Sequence, residues 1–154
     1  MIYIMTSKNK GRRMGYSLSM SKSLLVLMFI GDKIRQGHFE FVSARSIAEA
    51  LGIAPATLTK LLNSLRNARL IESREGARGG IRLARAADAI TLLDVLQAVE
   101  HDGPLFRQDW EVPLNLTKPT IGQKAVNSQL QACEEALKQA LAARKLSDLL
   151  RALD

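Results

Sequence analysis

The side chains best suited to chemistry lie between residues 55 and 68, where small, hydroxyl, amide and basic types dominate and no acid occurs. They are Ala56, Thr57, Thr59, Lys60, Asn63, Arg66 and Asn67. Short hydrogen-bonding side chains can approach base edges in a DNA groove, while cations meet the flanking phosphates. An ordinary surface helix usually mixes in Glu or Asp. The segment therefore predicts nucleic-acid recognition, with Thr57, Thr59 and Lys60 reading base edges and Ala56 and Asn63 beside them.

Three further cations lie in or beside a glycine-rich turn at residues 75–79. They are Arg74, Arg78 and Arg82. Short extended runs at 70–74 and 80–84 flank this turn, a pattern typical of a β-hairpin. The turn lacks both the G-x-x-x-x-G-K-[ST] and the G-x-G-x-x-G signatures of phosphate-binding loops. A basic hairpin directly after a recognition-type helix predicts the wing of a winged helix, whose arginines reach phosphates or the minor groove.

The sequence offers no residue set for catalysis or for binding a metal. It contains no nucleophile elbow, paired-carboxylate context or cofactor motif, so we expect no enzyme. His38 and His101 are isolated, and the run Glu100-His101-Asp102 is a weak candidate for a metal or pH role. Cys133, the single cysteine, is either a redox-sensing thiol or a small apolar residue buried on a helix stripe. Its spacing favours burial.

Helices must position the residues between 55 and 68. A buried first helix is predicted from Lys22 to about Arg35, and residues 39–42 form a short strand or loop. Ser43 is suited to cap a second helix through residue 51, and Gly52 to end it in a tight turn. Pro55 fits the first position of the next helix. That helix carries an amphipathic stripe of leucines, Leu58, Leu61, Leu62 and Leu65. The order matches a helix-turn-helix.

The positive charge is concentrated in the N-terminal half of the chain. The 154 residues carry a formal net charge of +7, from 22 Lys+Arg and 15 Asp+Glu. Residues 1–22 hold five basic side chains and no acid, whereas residues 86–154 hold seven basic and ten acidic ones. This asymmetry is typical of a polyanion-binding domain joined to an assembly or regulatory segment. Aromatic residues make up 5% of the chain, too few for a single-strand stacking platform.

Several motifs resemble those of one family. They are the stretch from Gly52 through Leu65, the G-x-x-G-G wing ending at Gly80, and the string I-T-L-L-D-V-L-Q-A-V-E at residues 90–100. Together they are similar to the Rrf-two family of bacterial winged-helix transcription regulators, whose members include IscR, NsrR and CymR. The resemblance implies phosphate contacts at helix starts from Ser21, Lys22, Ser43 and Ser46. It also implies double-stranded DNA with a palindromic operator as the partner.

Three features depart from the family pattern. Iron–sulfur members carry three cysteines in the loop that corresponds to residues 102–120, and this loop contains none. Because thiolates hold such clusters, we expect no iron–sulfur cofactor. Glu75 stands where the family places a wing arginine, so Arg74 or Arg78 substitutes for it or the wing contact is weaker. A basic arm also precedes the usual family start. Phe106 and Trp110 either line an effector pocket or, the favoured interpretation, anchor the loop.

The C-terminal segment carries an apolar seam with spacings of four and three, which needs a partner surface. Its members are Val126, Leu130, Cys133, Leu137 and Leu141. The seam packs on its own domain or on a second subunit, and the resemblance favours a homodimer. We expect a mainly α protein with a small β-hairpin: a basic arm (1–18), a winged helix-turn-helix domain (19–86), a linker helix and loop (87–120) and C-terminal dimerisation helices (121–154).

Three functions remain open. The first is a dimeric, sequence-specific regulator of transcription, most simply a repressor with a small-molecule or protein effector. The second is a winged-helix module that docks on protein, and the third is a non-specific architectural DNA binder. The cationic recognition segment disfavours the second, and its Thr and Asn content disfavours the third. The longest uncharged apolar run spans residues 24–30, too short to cross a membrane, so we expect no membrane partner. We expect a cytoplasmic location.

Overall fold

Six α-helices and one β-hairpin make up the regular structure in the computed structural model, which describes residues 18–37, 39–100, 105–106 and 117–154. The elements are α1 (Leu18–Arg35), α2 (Ala44–Leu51), α3 (Pro55–Asn67), β1 (Ile71–Arg74), β2 (Gly80–Leu83), α4 (Leu92–Val99), α5 (Thr117–Ala142) and α6 (Leu146–Arg151), with a short 3₁₀ helix at Ala87–Ala89. The mainly helical fold with a small hairpin is therefore confirmed. The predicted arm at residues 1–18 lies outside the described residues except for Leu18, the first residue of α1, so α1 begins before its predicted start at Lys22.

Local sequence rules set the two helices of the helix-turn-helix. The Ser43 hydroxyl accepts a hydrogen bond from the Ser46 amide at 3.1 Å and caps α2. Gly52 ends α2 in the left-handed region, with φ of 60°, where a glycine is favoured. Pro55 occupies the first turn of α3, where its missing N–H leaves no hydrogen bond unmade.

The core lies where α1, α2, α3 and the hairpin meet. All four leucines of the α3 stripe are buried, and three of them, Leu58, Leu62 and Leu65, share one core cluster with the fully buried Ile47 of α2. This burial fixes the rotation of α3 about its axis, because the leucines occupy one side of the helix and the polar residues must occupy the other. The helix of the predicted DNA-reading segment is thus held by its apolar side.

The hairpin pairs β1 and β2 antiparallel, with Glu72 directly opposite Arg82. Val42 forms an isolated bridge to β2, since its amide and carbonyl both bond to Ile81 at 2.8 Å. Residues 39–42, for which a strand or a loop was predicted, therefore supply one bridge to the sheet. Ile71 and Ile81 are buried, so the opposite face of the hairpin carries Glu72, Arg74 and Arg82 outward.

The end of the chain returns to the core. The Leu146 amide donates to the Ile90 carbonyl, and the Leu92 amide donates to the Arg144 carbonyl, both at 2.9 Å. Leu146 and Leu150 of α6 are buried in the same cluster as the helix-turn-helix. The last helix is therefore placed on the core of its own chain, whereas the sequence grouped it with α5 as one dimerisation unit.

None of the helices within the described ranges is both long enough and apolar enough to cross a bilayer.

Candidate nucleic-acid interface

The outer side of α3 carries most of the predicted base-reading side chains. Ala56, Thr59, Lys60 and Asn63 are exposed and Thr57 is half-buried, whereas the leucine stripe faces the core. Arg66 and Asn67 are exposed farther along the helix. The structure thus brings the predicted residues together on one helix surface that contains no carboxylate. Such a surface attracts phosphates and can offer hydrogen bonds to base edges.

Internal contacts leave these side chains with different capacities to bind a ligand. The Thr59 hydroxyl donates to the Pro55 carbonyl at 2.9 Å, so its lone pairs remain as acceptors. The Asn63 carboxamide oxygen accepts from Arg66 Nη1 at 3.1 Å, and its NH₂ group is left as a donor. Lys60 makes no hydrogen bond or ion pair with any residue that the structure describes. Its ammonium group is the free cation of α3.

Arg66 connects α3 to the hairpin. Its Nη2 and Nε atoms lie 2.9 and 3.2 Å from the Ser73 hydroxyl oxygen of β1. The two residues are seven positions apart and lie on different elements, so periodicity within either element gives no sign of the contact. Sequence reasoning placed Arg66 on the polar face of α3 and assigned no role to Ser73. The pair adds a side-chain contact between α3 and the hairpin to the packing of Ile71 and Ile81 in the core.

The predicted phosphate contacts lie near two helix starts. Ser43 and Ser46 are exposed at the first turn of α2, where backbone N–H groups favour an anion. Ser21 is exposed near the start of α1, and its hydroxyl donates to the Leu18 carbonyl at 3.2 Å. Lys22 is half-buried and makes no ion pair within the described part of the chain. The arrangement fits the predicted backbone contacts, whose test remains a binding measurement.

The three wing arginines do not behave as one set. Arg82 forms ion pairs with Glu72 and with Glu40, the latter at 3.4 Å, and Arg74 lies 4.0 Å from Glu40. Arg78, at the tip of the hairpin, is exposed and has no partner among the residues that the structure describes. The sequence predicted phosphate contacts from all three side chains. Two of them are engaged by carboxylates of the same chain.

The predicted seam on α5 divides into two parts. Val126 is 44% exposed and Cys133 is exposed, whereas Leu130, Leu137 and Leu141 are half-buried. Cys133 is therefore not buried within its own chain, contrary to the interpretation that its spacing favoured. The reason is that it lies on the solvent side of α5, and burial of its thiol would need a second subunit.

Glu134 connects α5 to the loop before it. Its carboxylate accepts from Lys138 Nζ at 2.8 Å and from the Leu105 amide at 3.1 Å. The Lys138 hydrogen bond, with the amide bond adding to it, holds the pKa of the Glu134 carboxyl below its ordinary value, although partial burial opposes the shift. Phe106 is exposed beside this contact, and Trp110 lies outside the described residues. At this point the loop is held by its backbone.

Comparison with known proteins decides the family. A family model described as "Rrf2: Iron-dependent Transcriptional regulator" matches residues 9–152. The chain belongs to the Rrf2 (Rrf-two) family. The structure is similar to that of CymR, the global cysteine regulator of B. subtilis, with a TM-score of 0.65 and 26% identity over 91% of this chain and 98% of CymR. The resemblance inferred from the wing and the 90–100 string is confirmed.

Two curated proteins extend the Rrf2 comparison. Protein aau3 of Rhizobium meliloti is 32% identical over 69% of this chain and 68% of its own length. The HTH-type transcriptional regulator NsrR of Bacillus licheniformis is 31% identical over 76% of this chain and 81% of its own length. The family description and the name of NsrR are thus those of regulators of transcription.

The ligand set of this Rrf2 chain does not fit an iron–sulfur cluster. Such a cluster needs several thiolates, and the sequence contains one cysteine, Cys133, on the exposed side of α5. Within the described ranges no three His, Cys, Asp or Glu side chains converge as metal ligands. His38 and His101, the two histidines, lie outside those ranges. On ligand chemistry, the iron dependence named in the family description is therefore not assigned to this chain.

Proposed function

We propose that the protein is a dimeric, sequence-specific DNA-binding regulator of transcription that represses by occupying its operator. The observation that carries the proposal is the acid-free outer surface of α3, with the unpaired Lys60 at its centre. Membership in the Rrf2 family supports it, because named relatives are transcription regulators. A helix of this kind is suited to the major groove, where each base pair presents a distinct pattern of donors and acceptors.

Hydrogen-bonding capacity assigns different roles to the side chains of α3. Lys60 carries three donors that no described carboxylate engages, which suits a guanine edge or a phosphate. The free NH₂ group of Asn63 and the acceptor lone pairs of Thr59 suit base edges nearby. Ala56 has no polar atom in its side chain and allows close approach. The combination favours selective reading over general attraction to phosphates.

We further propose that α5 forms the dimer interface. The exposed positions Val126 and Cys133 are seven residues apart on α5, about two helical turns, so they share one side of the helix. A two-fold dimer that reads successive turns of DNA needs its two copies of α3 about 34 Å apart. An operator made of two inverted half-sites follows from this symmetry. The half-buried Leu130, Leu137 and Leu141 are the other predicted members of this seam.

Regulation without an iron–sulfur cluster is part of the proposal, because the chain has a single thiol. A small molecule or a partner protein would then supply the signal. The contact between Glu134 and the Leu105 amide supports a way for the signal to reach the proposed interface. It ties the loop at residue 105 to α5, the helix that carries that interface.

The experiment is selection of genomic DNA fragments by the purified protein at about 150 mM salt, followed by sequencing of the retained fragments. An inverted repeat with a fixed half-site spacing is the expected result. Retention without a common sequence would favour a non-specific architectural binder. Retention of nothing, at this salt and at about 50 mM, would contradict DNA binding by the chain alone and favour a module that docks on protein.

A further inference from the structure

We propose that Glu40 and Phe41 position the wing by holding Arg74 and Arg82 on its outer face, so that Arg78 is the wing residue that contacts the DNA backbone. The inference rests on the proposed DNA binding and names the residues that control one part of it. Neither Glu40 nor Phe41 lies in the recognition helix or in the hairpin. Both precede α2, next to Val42, which bridges to Ile81 of β2.

The side chains involved form one cluster, which we call the wing-face cluster. It consists of Glu40, Phe41, Glu72, Arg74 and Arg82. Arg82 Cζ lies 4.8 Å and Arg74 Cζ lies 5.6 Å from the centre of the Phe41 ring, both within the range of a cation–π contact. Two guanidinium groups therefore share one aromatic ring.

Charge explains why the two arginines tolerate this proximity. Along the cluster the charges alternate in sign, from Glu72 to Arg82, then Glu40, then Arg74. Glu40 lies between the two guanidinium groups and pairs with both. The four charges sum to zero, so this face of the wing has no net attraction for a phosphate. A single exposed ion pair contributes little stability, whereas a network on a shared ring restricts several side chains together.

The wing tip has the opposite character. Gly79 cannot carry a side chain, because an added Cβ would collide with the Arg74 carbonyl oxygen. The Gly79 amide donates to the Gly76 carbonyl at 2.9 Å and closes a tight turn around Arg78. Gly76 adopts φ of 103°, which side chains rarely allow. The turn is thus fixed by glycines, and Arg78 projects from it with no carboxylate partner among the described residues.

Glu75 puts a carboxylate at the wing tip, where it repels phosphates. Arg74 and Arg82 are engaged by Glu40, Glu72 and Phe41 on the outer face, so Arg78 is the tip cation without a described carboxylate partner. The wing then makes one cationic contact, at Arg78, and holds it in a defined place.

The test is the salt dependence of binding to a random-sequence 30-base-pair duplex, measured by fluorescence anisotropy for the full chain. Each phosphate contact contributes about 0.9 to the slope of log affinity against log salt. Arg78→Ala is expected to lower the slope by about 0.9, whereas Arg74→Ala leaves it unchanged. A slope loss for Arg74→Ala as large as that for Arg78→Ala would overturn the assignment.

Glu40→Gln provides the decisive variant, because it keeps the shape of the side chain and removes the charge. Released arginines would reach phosphates, so the slope and the affinity for random duplex should both rise. Glu135→Gln on α5, which removes the same charge far from the wing, should change neither. A slope for Glu40→Gln that equals that of Glu135→Gln would show that Glu40 does not withhold the arginines.

A second measurement separates this inference from the proposed function. In NMR spectra of the DNA-free protein, the Nε–H of Arg82 should exchange slowly with water and become fast in Glu40→Gln and Phe41→Leu. Fast exchange in the unaltered protein would contradict the wing-face cluster. Slow exchange together with no affinity for duplex would instead support the cluster and contradict DNA binding, including the role of Arg78.

Discussion

Arg66 Nη2 of α3 donates to the Ser73 hydroxyl of β1 at 2.9 Å, which ties the recognition helix to the wing. The same guanidinium group holds the Asn63 side chain through Nη1. One residue therefore orients a base-reading candidate and the hairpin together. The angle between α3 and the wing determines whether both can reach the same stretch of DNA.

Ser73→Ala should lower the affinity for a selected operator while changing the free energy of unfolding only slightly. Ser73 is exposed, so we expect a change in unfolding free energy of at most about 1 kcal/mol. Operator affinity should fall by several-fold, because Arg66 loses the partner that orients it between α3 and the wing. Anisotropy titrations and thermal unfolding measure the two effects. Ser73→Thr restores a hydroxyl, and its failure to recover any affinity would argue against the link.

Val126→Asp combined with Cys133→Asp should convert the proposed dimer to a monomer. Both side chains are exposed in the single chain, so the fold should persist while two charges enter the proposed interface. Analytical ultracentrifugation gives the mass, and circular dichroism reports the helix content. Ala132→Asp, at another exposed position of α5, is the matched control. A double variant that remains dimeric would place the interface elsewhere.

The contact between Glu134 and Leu105 should stabilise the fold at neutral pH and lose its effect in acid. The pKa of the Glu134 carboxyl is lowered from its ordinary value of 4.5 in the folded chain. A carboxyl shifted this way adds stability above its unfolded pKa, and that stability is lost as the pH falls through the folded pKa. The melting temperature of the unaltered protein should therefore exceed that of Glu134→Gln at neutral pH, and the difference should narrow in acid.

Glu135→Gln is the control for that comparison, because it removes a neighbouring exposed carboxylate of α5. A difference between the unaltered protein and Glu134→Gln that stays constant from neutral to acidic pH would contradict the stabilising role of the ionised carboxyl.

Local rules explain why much of the helix-turn-helix could be predicted from the sequence. The leucine stripe of α3, the Ser43 cap and the Gly52 turn each depend on residues within a few positions of one another. The glycine-rich tip of the wing follows the same logic. Each feature has few conformational alternatives, so the residue types alone indicate the structure.

Contacts between distant segments account for what the sequence did not predict. Glu40 and Arg82 are 42 positions apart, and Leu105 and Glu134 are 29 positions apart. No periodicity reports such pairs, so the division of the wing arginines became visible only in three dimensions. The packing of α6 is a similar case, because an apolar helix face indicates burial without identifying the surface that buries it.

The exposed thiol illustrates the same limit. Cys133 lies on a helix stripe that predicts burial, yet a stripe of spacing three and four cannot distinguish a contact within the chain from one with a second copy. Leu137 and Cys133 are four positions apart on α5, yet Leu137 is half-buried in the chain and Cys133 is exposed to solvent.

The most direct test of base reading by α3 compares Lys60→Ala with the unaltered protein on a selected operator and on a scrambled duplex of the same length and composition. Lys124→Ala, an exposed lysine of α5, is the matched control. If Lys60 reads a base, the variant should lose about 1–3 kcal/mol on the operator and clearly less on the scrambled duplex. Equal losses on both duplexes would reduce Lys60 to a phosphate contact and contradict sequence reading through its side chain.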